Sequence, residues 1–208
     1  MPVLYHVPTS RSLRVLWALE EMGATATVEI RSLGPRPRLQ EAEYLAISPA
    51  GTLPALIDGD RRIYESLAIC EYLAARHGSD LLVAPNEPEW PEFRQWLLYG
   101  EATLQVPLSA MARVGRIRDQ TPEMQPGIDA VKADFTHSLS MRLRPLEQRL
   151  EDRAFLAAGR MTLADISVGY PLFNIGRSGR GSLLGPRSAA YRERLLSRPA
   201  FQRAVAVP

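Results

Sequence analysis

Two rhythms of apolar and polar positions run along this chain, and they change over near residue 80. The run PVLYHV (2–7) is short, apolar and rich in β-formers, and PTS breaks it. SLRVLWALEEMG follows, with Leu13, Leu16, Trp17 and Leu19 at helical spacing and Gly23 closing it. TATVEIRSL alternates as a second strand would, and RPRLQEAEYLAIS suits a short helix. LPALIDGDRRIYE reads as a hairpin, with Asp58-Gly59 as the turn signal between 54–57 and 61–64. SLAICEYLAARHG then supplies a helix ending at Gly78. The order β-α-β-α-β-β-α over about eighty residues predicts a sheet layered with helices.

Beyond that point the strand rhythm stops. PNEPEWPEF carries three prolines and reads as a linker into a helix. FRQWLLYGEATLQVPLSAMARVGRI is a long helical pattern that Pro107 is expected to kink. IDAVKADFTHSLSMRLRPLEQRLEDR puts Ile128, Val131, Phe135, Leu139, Leu146 and Leu150 on one face, with a bend expected at Pro145. In GRMTLADISVGY, Thr162 and Asp165 stand in capping-box positions, flanked by Met161 and Ile166 where a hydrophobic staple would sit. That role for Asp165 is structural. The pattern predicts an α/β domain over 1–78, a linker over 79–90 and an all-helical domain over 91–208.

Composition narrows the classes. Of 208 residues, 46% are hydrophobic, ample for packed cores, and the formal charge is only +2. No arginine- or lysine-rich block interrupts the mixture of signs, so a nucleic-acid footprint is not expected. No apolar run approaches the ~20 residues that span a bilayer. The opening MPVLYHVPTS lacks a basic leader and a sustained apolar core, and Cys70 is the single cysteine, so a cytoplasmic, reducing location is expected. His6, His77 and His137 are scattered without ligand spacing, and no metal site is expected. Cys70 lies among Leu67, Ile69 and Tyr72, where a free thiol behaves as a small hydrophobe.

Three pieces of the first domain can carry chemistry. VPTSRSLR sets the hydroxyls of Thr9, Ser10 and Ser12 at a helix start, where free N–H groups and the helix dipole favour an anion; Ser10 or Ser12 as a plain N-cap is the other reading. Pro54 begins an apolar run, although proline gives no N–H to a sheet. A cis Leu53-Pro54 bond, a form adopted by only about 5–6% of X–Pro bonds, would leave the Leu53 backbone open to an added strand. Glu65-Ser66 closes the hairpin and opens a helix, so Ser66 can face a carboxylate and Glu65 an ammonium, or the pair can simply cap.

Taken together, SRSLRVLWALEE, SPAGTLPALID, YESLAICEYL and MTLADISVGYPL resemble the cytosolic glutathione transferase superfamily in order and spacing over nearly the whole chain. WLLYGEATLQVPL and the closing RPAFQRAVA are similar to a bacterial and fungal subgroup. The resemblance implies a thioredoxin-like first domain with a cis-proline at Pro54, joined to an all-α domain in a two-domain α+β protein. It implies conjugation of glutathione to small hydrophobic electrophiles by a cytoplasmic homodimer, with glutathione as cosubstrate, no permanently bound cofactor, and no nucleic-acid or membrane partner. Leu53 would pair with the cysteinyl backbone of glutathione, and Glu65 and Ser66 would hold its γ-glutamyl end. Ser10, with Arg14 four residues on, matches the thiol-activating serine; Tyr5 is the alternative, since other classes use a tyrosine near the end of the first strand. Thr52 stands where the family often has a lysine, leaving Gln40 and Arg38, on the expected second helix, as candidates for the glycine carboxylate. Tyr99, Met111, Tyr170 and Phe173 are candidate electrophile-pocket residues, expected between the domains, and Glu101 could reach a glutathione across a dimer interface. The same binding site would also serve a glutathione-dependent peroxidase or disulfide reductase, and the fold alone would suit a non-catalytic binding protein.

Overall fold

The computed structural model describes residues 1–34, 39–117 and 121–208. Its first unit comprises Met1–Glu87 together with Leu196–Pro208. The elements run β1 (Val3–His6), α1 (Ser12–Glu21), β2 (Glu29–Ser32), α2 (Ala42–Leu45), β3 (Ala55–Asp58), β4 (Arg61–Tyr64) and α3 (Ser66–Arg76). The sheet order is β2-β1-β3-β4. β1 and β2 are parallel, and β3 runs antiparallel to both β1 and β4. This is the expected β-α-β-α-β-β-α order, with the parallel pair joined by a helical crossover as chain geometry requires.

Two local details differ from the pattern. Asp58 pairs with Arg61, so the hairpin turns on Gly59 and Asp60, with Gly59 at φ 59° taking the first turn position. The second helix is only Ala42–Leu45, and Gln40 lies in the turn ahead of it. Arg38 lies outside the described residues. α1 is buried almost all round, from Ser12 to Leu19, because α3 and the closing helix α9 (Pro199–Val205) both pack on it.

α9 departs from the expected 91–208 helical domain by joining the first unit. Phe201 meets Trp17 edge to face at 4.9 Å, and Arg198 grips the Glu21 carboxylate with two nitrogens at 2.6 and 2.7 Å. A buried aromatic pair and a bidentate ion pair are what hold a chain end down.

The second unit, Pro88–Leu195, is helical. α4 (Trp90–Leu98) runs through a π-helical stretch, Tyr99–Gln105, into α5 (Val106–Val114), followed by α6 (Gln125–Arg149), α7 (Leu163–Arg177) and α8 (Pro186–Leu196). A widened turn therefore comes just before Pro107. A proline lacks the N–H and crowds the carbonyl four residues back, and the wider turn relieves both. Gly100 permits the close crossing of this segment with α7: a Cβ there would collide with Ser167, whose hydroxyl donates to the Leu97 carbonyl at 2.6 Å. On α6, Ile128, Leu139 and Leu146 are buried as the spacing predicts, whereas Val131 is exposed.

The capping box at α7 is formed. The Thr162 N–H donates to Asp165 Oδ2 at 2.8 Å, and the other carboxylate oxygen accepts from the Leu156 N–H (3.0 Å) and the Tyr191 hydroxyl (2.6 Å). Among the described residues no helix is long and apolar enough to cross a membrane.

Candidate active site at one end of the sheet

Strand register brings the three chemical pieces together. β1 ends at His6, β3 begins at Ala55 and β4 ends at Tyr64; Tyr5 pairs with Ala55, and Ala55 with Tyr64. The loop after β1, the Leu53-Pro54 turn before β3 and Glu65-Ser66 after β4 therefore lie at the same end of the sheet. The Leu53-Pro54 bond is cis, Pro54 is buried and Leu53 half-buried. Among the described residues, neither the N–H nor the C=O of Leu53 is taken by another backbone group. An extended peptide can lie there as a further strand.

The turn into this edge is held from beneath. The Thr52 carbonyl accepts from the Tyr44 hydroxyl (2.8 Å) and Ser48 Oγ (3.0 Å), and the Thr52 N–H donates back to Ser48 Oγ (3.3 Å). Burial pushes the Tyr44 phenol up to about 12, so it stays a donor. Thr52 itself is exposed, and so is Gln40. Gly51, at φ 59°, packs under Gln40; a Cβ there would strike the Gln40 side chain and stand 2.8 Å from the Leu39 carbonyl. Only glycine fits both that conformation and that contact.

Ser66 opens α3, an eleven-residue helix whose first N–H groups lack intrahelical partners. Its Oγ accepts from Arg14 Nη1 at 3.2 Å, and Arg14 is wholly buried on α1. Arg14 thus ties the starts of α1 and α3 together behind the site. Glu65 has φ 67° and ψ 116°, and Thr9 has φ 63°. Among the described residues only Ala158 joins them as a non-glycine with positive φ, so backbone outliers of this kind concentrate where the three loops meet.

Ser10 precedes α1, and its Oγ lies 2.7 Å from Ser12 Oγ and accepts from the Ser12 N–H at 3.3 Å. Ser12 is buried, and its hydroxyl oxygen is also 2.7 Å from His6 Nδ1. The N-cap reading of Ser10 or Ser12 does not hold, because Arg11 is the N-cap of α1 and makes no side-chain cap; Ser10 Oγ accepts from the Ser12 N–H one residue further on, which uses a lone pair and leaves its proton.

Tyr5 points the other way. Successive strand residues face opposite sides; His6 meets Ser12, while the Tyr5 ring meets Tyr44 at 5.8 Å and its oxygen accepts from Arg31 Nη1 at 3.0 Å. A cavity of about 440 Å³ opens on that side, lined by Tyr5, Arg31, Leu33, Tyr44 and Ile47 among others. None of Ser10, Leu53, Glu65 or Ser66 lines it. The candidate groups of the three loops lie outside this cavity.

The remaining candidates belong to the helical unit. Tyr99 packs against Trp96 with ring centroids 5.0 Å apart and planes tilted by 59°, and its hydroxyl donates to the Arg142 carbonyl at 2.9 Å. Met111 is buried and its sulfur accepts from Thr136 Oγ1 at 3.4 Å; Tyr170 is buried too. Phe173 is half-buried with the Arg177 guanidinium 5.4 Å from its ring, and Glu101 is half-buried in the π-helical stretch. Cys70 is fully buried, and burial pushes its thiol up to about 12, which removes it as a nucleophile. No group of three His, Cys, Asp or Glu among the described residues is placed to hold a metal.

Sequence reasoning missed two features: the clamp on Thr52 by Tyr44 and Ser48, and the contact of His6 with Ser12. The strand alternation of Tyr5 and His6 held the signal for the second.

Residues 10–76 match the family model described as glutathione S-transferase, N-terminal domain. The chain is similar to glutathione S-transferase 3 of Zea mays, at 30% identity over 98% of this chain and 92% of that protein. It is also similar to a glutathione S-transferase of Arabidopsis thaliana, at 30% identity over 92% of this chain and 90% of the relative. A Phanerochaete chrysosporium glutathione transferase, solved in complex with oxidized glutathione, superposes with a TM-score of 0.79 at 27% identity, covering 98% of this chain and 94% of that one.

Proposed function

The chain belongs to the glutathione S-transferase family, and on that premise we propose that it joins the thiolate of glutathione to small hydrophobic electrophiles, with Ser10 stabilising the thiolate. The observation that carries this reading is the meeting of the Ser10 loop, the open Leu53 backbone and Glu65-Ser66 at one end of the sheet. Glutathione lies along Leu53 as an added strand. Its γ-glutamyl carboxylate faces Ser66 and the α3 N-terminus, and its ammonium faces Glu65. Gln40, seated over Gly51, reaches the glycine carboxylate.

The chemistry follows from thiol acidity. Only the thiolate is a good nucleophile, and a free thiol titrates near ~8.5. Lowering that by about two pH units requires ~2.7 kcal/mol of selective stabilisation. A hydroxyl donating a charge-assisted hydrogen bond at a helix start is of that size. At neutral pH the reactive fraction then rises from roughly 3% to roughly three-quarters. The thiol proton leaves to solvent, the sulfur lone pair forms the bond to the electrophilic carbon, and the leaving group departs with its electron pair. Ser10 stabilises an anion and is never itself alkylated. Glutathione is consumed as cosubstrate, and no step calls for a bound cofactor or metal.

We further read the protein as a cytoplasmic homodimer that detoxifies electrophiles. Leu98 and Val106 are 56% and 50% exposed on α4 and α5, an apolar surface that suits a second copy of the chain. Sedimentation of the parent as a dimer and of a Leu98→Glu/Val106→Glu variant as a monomer tests that point.

Retention on immobilised glutathione, followed by parallel assays with chlorodinitrobenzene and a hydroperoxide, tests the activity. Elution by free glutathione with conjugation as the dominant turnover is the expected result. Failure to bind would point to a non-catalytic member, and dominant hydroperoxide turnover to a peroxidase.

A further inference from the structure

His6 is 1% exposed and sits directly behind the proposed site. Its Nδ1, Ser12 Oγ and Ser10 Oγ form a row with two successive 2.7 Å spacings. We propose that His6 and Ser12 are positioning residues for the thiolate: His6 Nδ1–H donates to Ser12, the Ser12 hydroxyl donates to Ser10, and the Ser10 proton is thereby directed at the sulfur. This inference rests on the assignment of Ser10 above.

The argument is one of donors and acceptors. A serine hydroxyl has one proton and two lone pairs. Ser10 Oγ already accepts from the Ser12 N–H at 3.3 Å. Once it also accepts from the Ser12 hydroxyl, both its acceptor positions are filled and only donation remains. The reverse chain would spend the Ser10 proton on Ser12 and turn lone pairs toward an anion. The imidazole decides between the two. Ser12 Oγ takes the Val7 N–H at 3.4 Å, so a proton on His6 Nδ1 fills its second lone pair and obliges the Ser12 hydroxyl to donate. Ser10 at 2.7 Å is nearer than the competing Val7 carbonyl at 3.3 Å.

Nδ1 is the nitrogen that carries the proton. Burial disfavours a charged ring, with the Val207 backbone acting the other way, so one nitrogen is protonated. Nδ1 has a partner in Ser12 at 2.7 Å, whereas the Val207 backbone, the competing acceptor for an Nε2 proton, does not reach hydrogen-bond geometry with Nε2, and we therefore place the proton on Nδ1. A buried N–H is costlier to leave unmatched than to pair. Successive donation in one direction also polarises each bond in the row, strengthening the last one.

The test is the pKa of enzyme-bound glutathione, read from thiolate absorbance, in the parent, Ser12→Ala, His6→Phe, His6→Asn and Ser10→Ala. Circular dichroism and the Kd for S-methylglutathione serve as checks on folding and binding. Ser12→Ala and His6→Phe are expected to raise the thiol pKa by about one pH unit and, through the smaller thiolate fraction, to lower kcat/KM about threefold at neutral pH. Their Kd for S-methylglutathione should stay within about twofold of the parent's, because that ligand has no thiolate to stabilise. His6→Asn, whose amide N–H falls where Nδ1–H stood, should recover most of the lost acidity. In the Ser10→Ala background the Ser12→Ala effect should vanish, since both act through one hydroxyl. A parent-like thiol pKa in folded Ser12→Ala overturns the relay, as does an undiminished Ser12→Ala effect without Ser10. Should His6→Phe fail to fold, Ser12→Ala and His6→Asn decide the matter. If Ser10→Ala itself leaves the thiol pKa unchanged, it is the serine assignment that fails, and the two failures are thereby told apart.

Discussion

Glu65 and Pro54 are set by backbone requirements, and backbone requirements leave marks in sequence. A proline opening an apolar run and a Glu-Ser pair between hairpin and helix were both legible, and register placed them side by side. His6 was not legible as part of the site. Alternation along β1 turns it away from the Tyr5 face, but that a serine six residues later meets it is a contact local spacing does not specify. The buried imidazole has a measurable consequence for stability. Burial lowers its pKa below the ordinary value near 6.5. As pH falls through that value the unfolded chain takes up a proton that the folded chain refuses, so stability is present above about 6.5 and lost below it. Urea unfolding of the parent and His6→Asn across that range checks the sign. The stability of the parent relative to the variant should fall toward acid, with a slope of up to about 1.4 kcal/mol per pH unit.

Elements with strong local signals formed as their sequences predict. Thr162 and Asp165 are the clearest, because a capping box is satisfied within four residues. What local pattern could not reveal is that the same carboxylate also holds Leu156 and Tyr191. Removing it takes the acceptor from four buried donors, the Leu156 and Thr162 N–H groups and the Thr162 and Tyr191 hydroxyls, so Asp165→Ala should cost at least ~3 kcal/mol, whereas Tyr191→Phe, which removes one bond, should cost ~1–1.5 kcal/mol. Chemical denaturation of the two variants compares them. Equal losses would mean that the carboxylate contributes no more than a single bond. The α4–α5 segment is the counterexample: Pro107 announced an interruption, but not its form, since a proline is accommodated by a simple kink or by a widened turn, and here it is a π-helical stretch.

At the scale of the molecule, the change of rhythm near residue 80 located the transition from sheet to helices, since alternation and helical spacing reflect the layers being built. It did not foretell that 196–208 returns to the first unit, because a short amphipathic helix carries no mark of which surface it will cover. Phe201 against Trp17 is the contact that fixes this return. Phe201→Ala should destabilise the protein by ~3–5 kcal/mol, as truncation of a buried aromatic does. Thermal and urea unfolding read it directly, and a loss near zero would mean that α9 is dispensable to the first unit. The proposed function depends on this whole arrangement: α9 backs α1, the loop ahead of α1 carries Ser10, and the sheet brings that loop to the same end as Leu53 and Ser66. The most direct test of that account is a spectrophotometric titration of bound glutathione in the parent, Ser10→Ala and Tyr5→Phe. The account predicts that Ser10→Ala moves the thiol back toward ~8.5 while Tyr5→Phe leaves it where the parent holds it. A rise in Tyr5→Phe alone would contradict it.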